Sequence, residues 1–158
     1  MHTKNTIFIL LALLIGAAAG YLAATTLNVP PKPVPTPSAA AQIVKSTTLA
    51  FADAVKAGDL SLFRSRTSAE FKKQFSHEQF NQAFKGFITQ KTNLYPAVKT
   101  KPIFYAPPSI TADGTLLLRG HFPTRPSMVL FDYGYVWRDE KWKITQISLT
   151  LKPAVSSQ

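Results

Sequence analysis

Met128–Leu151 reads MVLFDYGYVWRDEKWKITQISLTL. Met128 to Trp137 is a run of aliphatic, β-branched and aromatic residues, the kind that fits a pleated, half-buried surface. Arg138-Asp139-Glu140-Lys141 then supplies a charged hairpin connection, and Trp142 to Leu151 forms a closing strand. Working upstream, Leu116 to Phe122 (LLLRGHF) is another strand, entered through the tight-turn dipeptide Asp113-Gly114. Before it, Pro96, Pro102, Pro107 and Pro108 confine Val98 to Tyr105 to an edge or irregular strand, because proline cannot donate to a ladder.

The period changes further upstream. A helix is expected from about Ala40 to Ala57, with Val44, Phe51 and Val55 at near-helical spacing and Gly58 as its left-handed stop. Asp59 is placed to cap a short second helix carrying Leu60, Leu62 and Phe63. Thr67 or Ser68 can cap a brief third segment holding Phe71 and Phe75. Ser76 and Gln79 have the spacing of a capping box, in which the hydroxyl accepts from the Gln79 amide and the Gln side chain reaches back. Phe80, Phe84, Phe87 and Ile88 then form one apolar stripe, read as core packing and not as a cofactor box. Helices first and strands second give an α+β domain, with the helices on one face of an antiparallel sheet.

Alternation along the strands sets Arg119 and His121 on one face of theirs, and sets Asp132 on the face opposite Tyr133 and Tyr135. If Asp132 meets Arg119 or His121, a polar cluster forms in an otherwise apolar sheet. That cluster reads first as a structural cross-strand ion pair. The alternative is a pocket of Asp132, His121, Arg119 and Tyr135 serving a small-molecule binder or an isomerase-like enzyme. The other carboxylates have structural roles at hand: Asp59 as a cap, Asp113, Asp139 and Glu140 in turns, and Asp53, Glu70 and Glu78 on helices. His77, at the start of a capped helix, reads as a surface residue. No catalytic constellation emerges, and no cofactor is expected.

The corner AVKAGDLSLF, the phenylalanine-striped helix and the closing hairpin VWRDEKWKITQISL together resemble the nuclear transport factor 2-like superfamily over about residues 40–152. The resemblance implies a cone, with a curved antiparallel sheet wrapped on helices. Members include small isomerases and dehydratases, ligand carriers, and single-span bacterial envelope proteins whose cone sits in the periplasm. The order of segments here is similar to that last group. In this fold an acid or base is usually an Asp or His in the cone mouth beside tyrosine donors.

Ahead of the domain, Ile7 to Ala24 (IFILLALLIGAAAGYLAA) contains no charged side chain. As a helix its length is roughly 27 Å, close to the roughly 30 Å apolar core of a bilayer. It reads as a transmembrane helix within an anchor segment, residues 1–28, with the domain beyond a bacterial inner membrane in the periplasm. The alternative is a secretory signal cut near Ala17-Ala18-Ala19, which releases a secreted or periplasmic soluble domain. Gly16 and Gly20 form G-x-x-x-G, a candidate helix-dimer face for a homodimer. Residues 29–39 hold five of the chain's 12 prolines and form an extended tether. Residues 153–158 read as a flexible tail.

With 18 Lys and Arg against 8 Asp and Glu, the net charge of +10 draws anionic partners such as lipid headgroups, acidic glycans or acidic proteins. No nucleic-acid motif accompanies the charge. Lys72 and Lys73, and Arg125 held between Pro123 and Pro126, are the candidate anion or partner contacts. With no cysteine and only three histidines, disulfides, thiolate chemistry and a zinc site are all disfavoured. These features together point to a non-catalytic, membrane-tethered scaffold or binding module of an envelope protein assembly.

Overall fold

Helix α1 (Pro37–Ala57) opens the domain, starting ahead of Ala40 because Thr36 accepts from the Ala39 amide at 3.2 Å and Pro37 stands in the first turn. A computed structural model of the chain describes residues 11–14 and 32–154. Gly58 stops α1 in the left-handed region at φ 70°, its amide returning to Ala54 and Val55. Helix α2 (Ser61–Arg64) follows. Asp59 does not cap it in the usual position: Leu60 is the cap residue, and Asp59 accepts from the Ser61 amide at 2.9 Å in an Asx turn. Ser68, not Thr67, caps α3 (Ala69–Gln74) through the Phe71 amide, and the Ser76–Gln79 capping box opens α4 (His77–Thr89).

A fifth helix, α5 (Tyr95–Lys99), occupies residues whose sequence suggests the approach to an irregular strand. The prolines account for the difference: Pro96 lies in a helical first turn, where a missing N–H costs nothing. Only Ile103–Phe104 of the expected strand is extended, as β2.

The remaining strands are β3 (Ser109–Ile110), β4 (Leu116–Phe122), β5 (Ser127–Arg138) and β6 (Lys141–Pro153). All pairings are antiparallel, in the order β6-β5-β4-β2, with β3 on the same edge of β4 as β2. Pro153 belongs to β6, and the Ala154 amide donates to Pro126 O at 2.9 Å, so residues 153 and 154 are held to the sheet where a flexible tail is expected. Asp139 and Glu140 both have positive φ, 50° and 58°, which closes the β5–β6 hairpin as a two-residue turn.

Leu11–Leu14 form β1, antiparallel to the outer edge of β6. At these four positions the backbone is extended where a helix is expected over Ile7–Ala24: β6 offers unpaired backbone groups, and a proline-free segment can satisfy them. Gly16, Gly20 and the rest of the apolar segment lie outside the described residues. Among the described residues no helix is long and apolar enough to cross a membrane.

The helices cover one face of the sheet. Phe51 sits at the centre, edge-on to Phe63, Phe84 and Phe87 at centroid distances of 5.3, 5.0 and 5.5 Å, and is fully buried. Leu116, Leu118 and Phe122 from β4, with Phe131, Tyr133 and Tyr135 from β5, close the core from below. Two hydroxyl pairs fix α1 over the sheet: Thr47 Oγ1 with Tyr135 OH at 2.9 Å, part-buried, and Thr48 Oγ1 with Tyr133 OH at 3.0 Å, buried.

Candidate binding cleft

The register sets Arg119 opposite Asp132, and Arg119 Nε lies 3.0 Å from Asp132 Oδ2. Gln146 of β6 donates to the other carboxylate oxygen at 3.2 Å. His121 is on the same outer face, one pair further along, opposite Leu130, with its ring stacked on Tyr105 at 5.5 Å. Tyr135 is not part of this group. It stands on the core face, where burial first, and then neighbouring Tyr133, push its phenol well above its ordinary range despite the Thr47 hydrogen bond. The four residues therefore do not line one pocket: two-residue alternation separates Tyr135 from the others by the thickness of the sheet. Arg119 and Asp132 form the cross-strand pair on the open face, and with side chains 54% and 32% exposed they sit where water screens such a pair.

A different region is concave. A cleft of about 540 Å³ opens between α1, the α2–α3 connection and the start of β6. Its geometry comes from a β-bulge: Tyr135 pairs with Ile144 while Gly134 pairs with Gln146, so Thr145 is extra. Ile144 and Ile147 are both buried as a result, and β6 bends beyond them. The Ser68 amide donates to Ile144 O at 2.8 Å and so pins the α2–α3 connection to the bend. Arg64 braces the same connection by donating to Lys72 O at 2.9 Å and Phe75 O at 2.8 Å, which serves the open carbonyls at the end of α3.

Four cations line the cleft, Arg66, Lys72, Lys141 and Lys143, with no carboxylate or histidine among the lining residues. Ser46, Thr47, Ser65 and Thr67 add hydroxyls, while Ala50, Phe63, Trp142 and Ile144 give an apolar floor. Two of the cations are engaged within the protein. Lys72 Nζ donates to Ser65 O at 2.8 Å, and Lys143 pairs with Asp139, whose carboxyl is held below its ordinary value by the Lys143 hydrogen bond and charge. Arg66 and Lys141 are exposed. Such a lining attracts and orients an anion.

Of the residues expected from sequence to meet anions, Lys72 lines the cleft. Lys73 is exposed beside it on α3, and Arg125 lies at the opposite end of β5, against a separate small cleft. Sequence reasoning misses Arg66, Lys141, Trp142 and Lys143; the alternating Lys-Trp-Lys at the start of the closing strand is the one signal they carry. Among the described residues no group of three or more His, Asp or Glu is arranged to hold a metal.

The proline-rich segment meets the domain beside this cleft. Lys32 Nζ stands 3.8 Å above the Trp137 ring, and Trp137 is edge-on to Trp142 of the cleft wall at 5.2 Å. No protein-family model, no curated protein and no solved structure matches the chain.

Proposed function

We propose that the chain is a membrane-tethered binding module without chemistry of its own, anchored through Ile7–Ala24 when that segment leaves the β6 edge and enters the bilayer as a helix, and working on the periplasmic side of a bacterial inner membrane as part of an envelope assembly. Helices on one face of an antiparallel sheet, with the corner at Gly58 and a bulged closing hairpin, support placing the domain in the nuclear transport factor 2-like superfamily. The observation that carries the functional reading is the cleft, which gathers four cations and no carboxylate next to the point where the tether joins. A tethered domain meets partners at the membrane at raised effective concentration, so modest contacts suffice for docking.

Carbonate washing of membranes, together with sequencing of the mature N-terminus, tests the anchor. The expected result is a chain that stays in the pellet and begins before Ile7. Release into the supernatant with an N-terminus near Gly20 refutes the tether and favours the secreted soluble domain.

A further inference from the structure

We propose that the cleft binds the headgroup of an anionic membrane phospholipid, its phosphate held by Arg66, Lys72 and Lys141, and the first part of an acyl chain lying over Ala50, Phe63, Trp142 and Ile144. Three observations lead there. The cleft, at about 540 Å³, falls within the range of small-molecule sites and is large for a bare anion. Its lining is divided: long cationic side chains are joined to an apolar floor, which suits an amphiphile better than a free phosphate. Its location is limited by the chain, because Lys32 rests on Trp137 only eight residues after Ala24. Eight extended residues reach at most about 28 Å, so the hairpin stays within that distance of a bilayer entered at Ala24.

This assignment rests on the tethered reading for its lipid source, but the recognition chemistry is the cleft's own. Lysine and arginine near an anionic surface each strengthen association roughly fivefold, and an apolar floor adds selectivity against inorganic anions.

Both tryptophans of the chain, Trp137 and Trp142, belong to this region, so intrinsic fluorescence reads its occupancy. The full chain is reconstituted in phosphatidylcholine nanodiscs with and without phosphatidylglycerol, and inorganic phosphate is titrated separately. The expected result is a saturable blue shift with phosphatidylglycerol, and quenching when its acyl chains carry bromine. Arg66→Gln with Lys141→Gln should weaken the response about 25-fold, at roughly fivefold per cation. Lys85→Gln with Lys99→Gln, on α4 and α5 and absent from the cleft lining, should change it less than about twofold, since exposed charges away from the site are weakened by salt screening.

Equal loss in the two double variants overturns the site in favour of a diffuse cationic field. The same response in pure phosphatidylcholine, or saturation by inorganic phosphate alone, also overturns it. Absence of bromine quenching in the parent protein does so without any variant. If carbonate releases the chain while added phosphatidylglycerol nanodiscs still give the response, the tether falls and the cleft assignment stands. Firm pelleting without the response gives the reverse.

Discussion

Thr48 and Tyr133 join α1 to the sheet through a hydrogen bond whose direction can be worked out, and the direction predicts unequal costs for its two partners. Both residues are fully buried. Thr48 Oγ1 has one proton and donates it to Val44 O at 2.9 Å, so at the 3.0 Å contact Tyr133 OH must be the donor and Thr48 Oγ1 the acceptor. Burial keeps that phenol protonated by raising it above its ordinary range. Thr48→Val keeps the shape and removes the acceptor, leaving a buried phenolic proton with no partner, at about 2 kcal/mol. Tyr133→Phe removes the donor, but Thr48 keeps its bond to Val44 O, and the cost is about 1 kcal/mol. In the double variant neither polar group remains, so its cost should fall below the sum of the singles by about 1 kcal/mol. At roughly 5 °C per kcal/mol for a domain of this size, the single variants should melt about 10 °C and about 5 °C below the parent. Urea unfolding of the full chain in detergent, followed by far-ultraviolet circular dichroism, measures all three. A larger loss in Tyr133→Phe than in Thr48→Val, or strict additivity, would refute the assigned direction.

Further predictions rest on other contacts. A Cβ on Gly120 would stand 2.1 Å from the Ile103 carbonyl oxygen, which is backbone, so Gly120→Ala must displace β2; it should cost about 3 kcal/mol and speed exchange of the Tyr105 amide, which donates to Arg119 O at 3.0 Å, and an unchanged melting temperature would show that β2 does not pack there. Glu140 holds a positive φ of 58° in the hairpin turn, so Glu140→Gly should raise stability by about 0.5 kcal/mol after the extra freedom of the unfolded chain is counted, and a lower urea midpoint counts against a strained turn. Several carboxyls are depressed in the folded state: Asp59 by the Ser61 hydrogen bonds, Asp113 by Thr111, Asp139 by Lys143, and Glu70 because its own backbone, Ser68 and Arg138 together outweigh partial burial. Depressed folded values mean that their stabilisation is present above the unfolded carboxyl range, about pH 4 to 4.5, and is lost as pH falls through the folded values. Melting temperature should therefore decline below about pH 4 with proton uptake on unfolding, and a rise on acidification would reverse the sign.

The parts of the fold set by local periodicity are legible in the sequence. Leu116–Phe122 is β4 to the residue, β5 and β6 exceed their expected limits by no more than two residues, and the Phe80–Phe84–Phe87 stripe is buried as expected. Proline is the main source of difference. It forbids a central strand and permits a helix start, and Tyr95-Pro96 takes the second option because the chain must turn from α4 towards β2. At Leu11–Leu14 the expected helix rests on length and hydropathy, quantities that do not register an open strand edge elsewhere in the domain. The outer-face pair is legible too, since alternation puts Arg119 and Asp132 on facing sides and leaves only the register open.

The cleft is not legible, because no single segment carries it. Lys141 and Lys143 look like connector charges until the extra residue Thr145 bends β6, and Arg66 looks like a surface residue until the Ser68–Ile144 hydrogen bond draws its loop against that bend. Regular β6 pairing would set Ile144 and Ile147 on opposite faces, since they are three residues apart. The bulge buries both, so the cationic wall is a consequence of burying two isoleucines that strict alternation could not. Packing and electrostatics are therefore coupled here. Removing the extra residue would restore regular alternation and rotate Trp142 and its flanking lysines to other faces, so the site's charge pattern depends on a backbone irregularity as much as on the lysines.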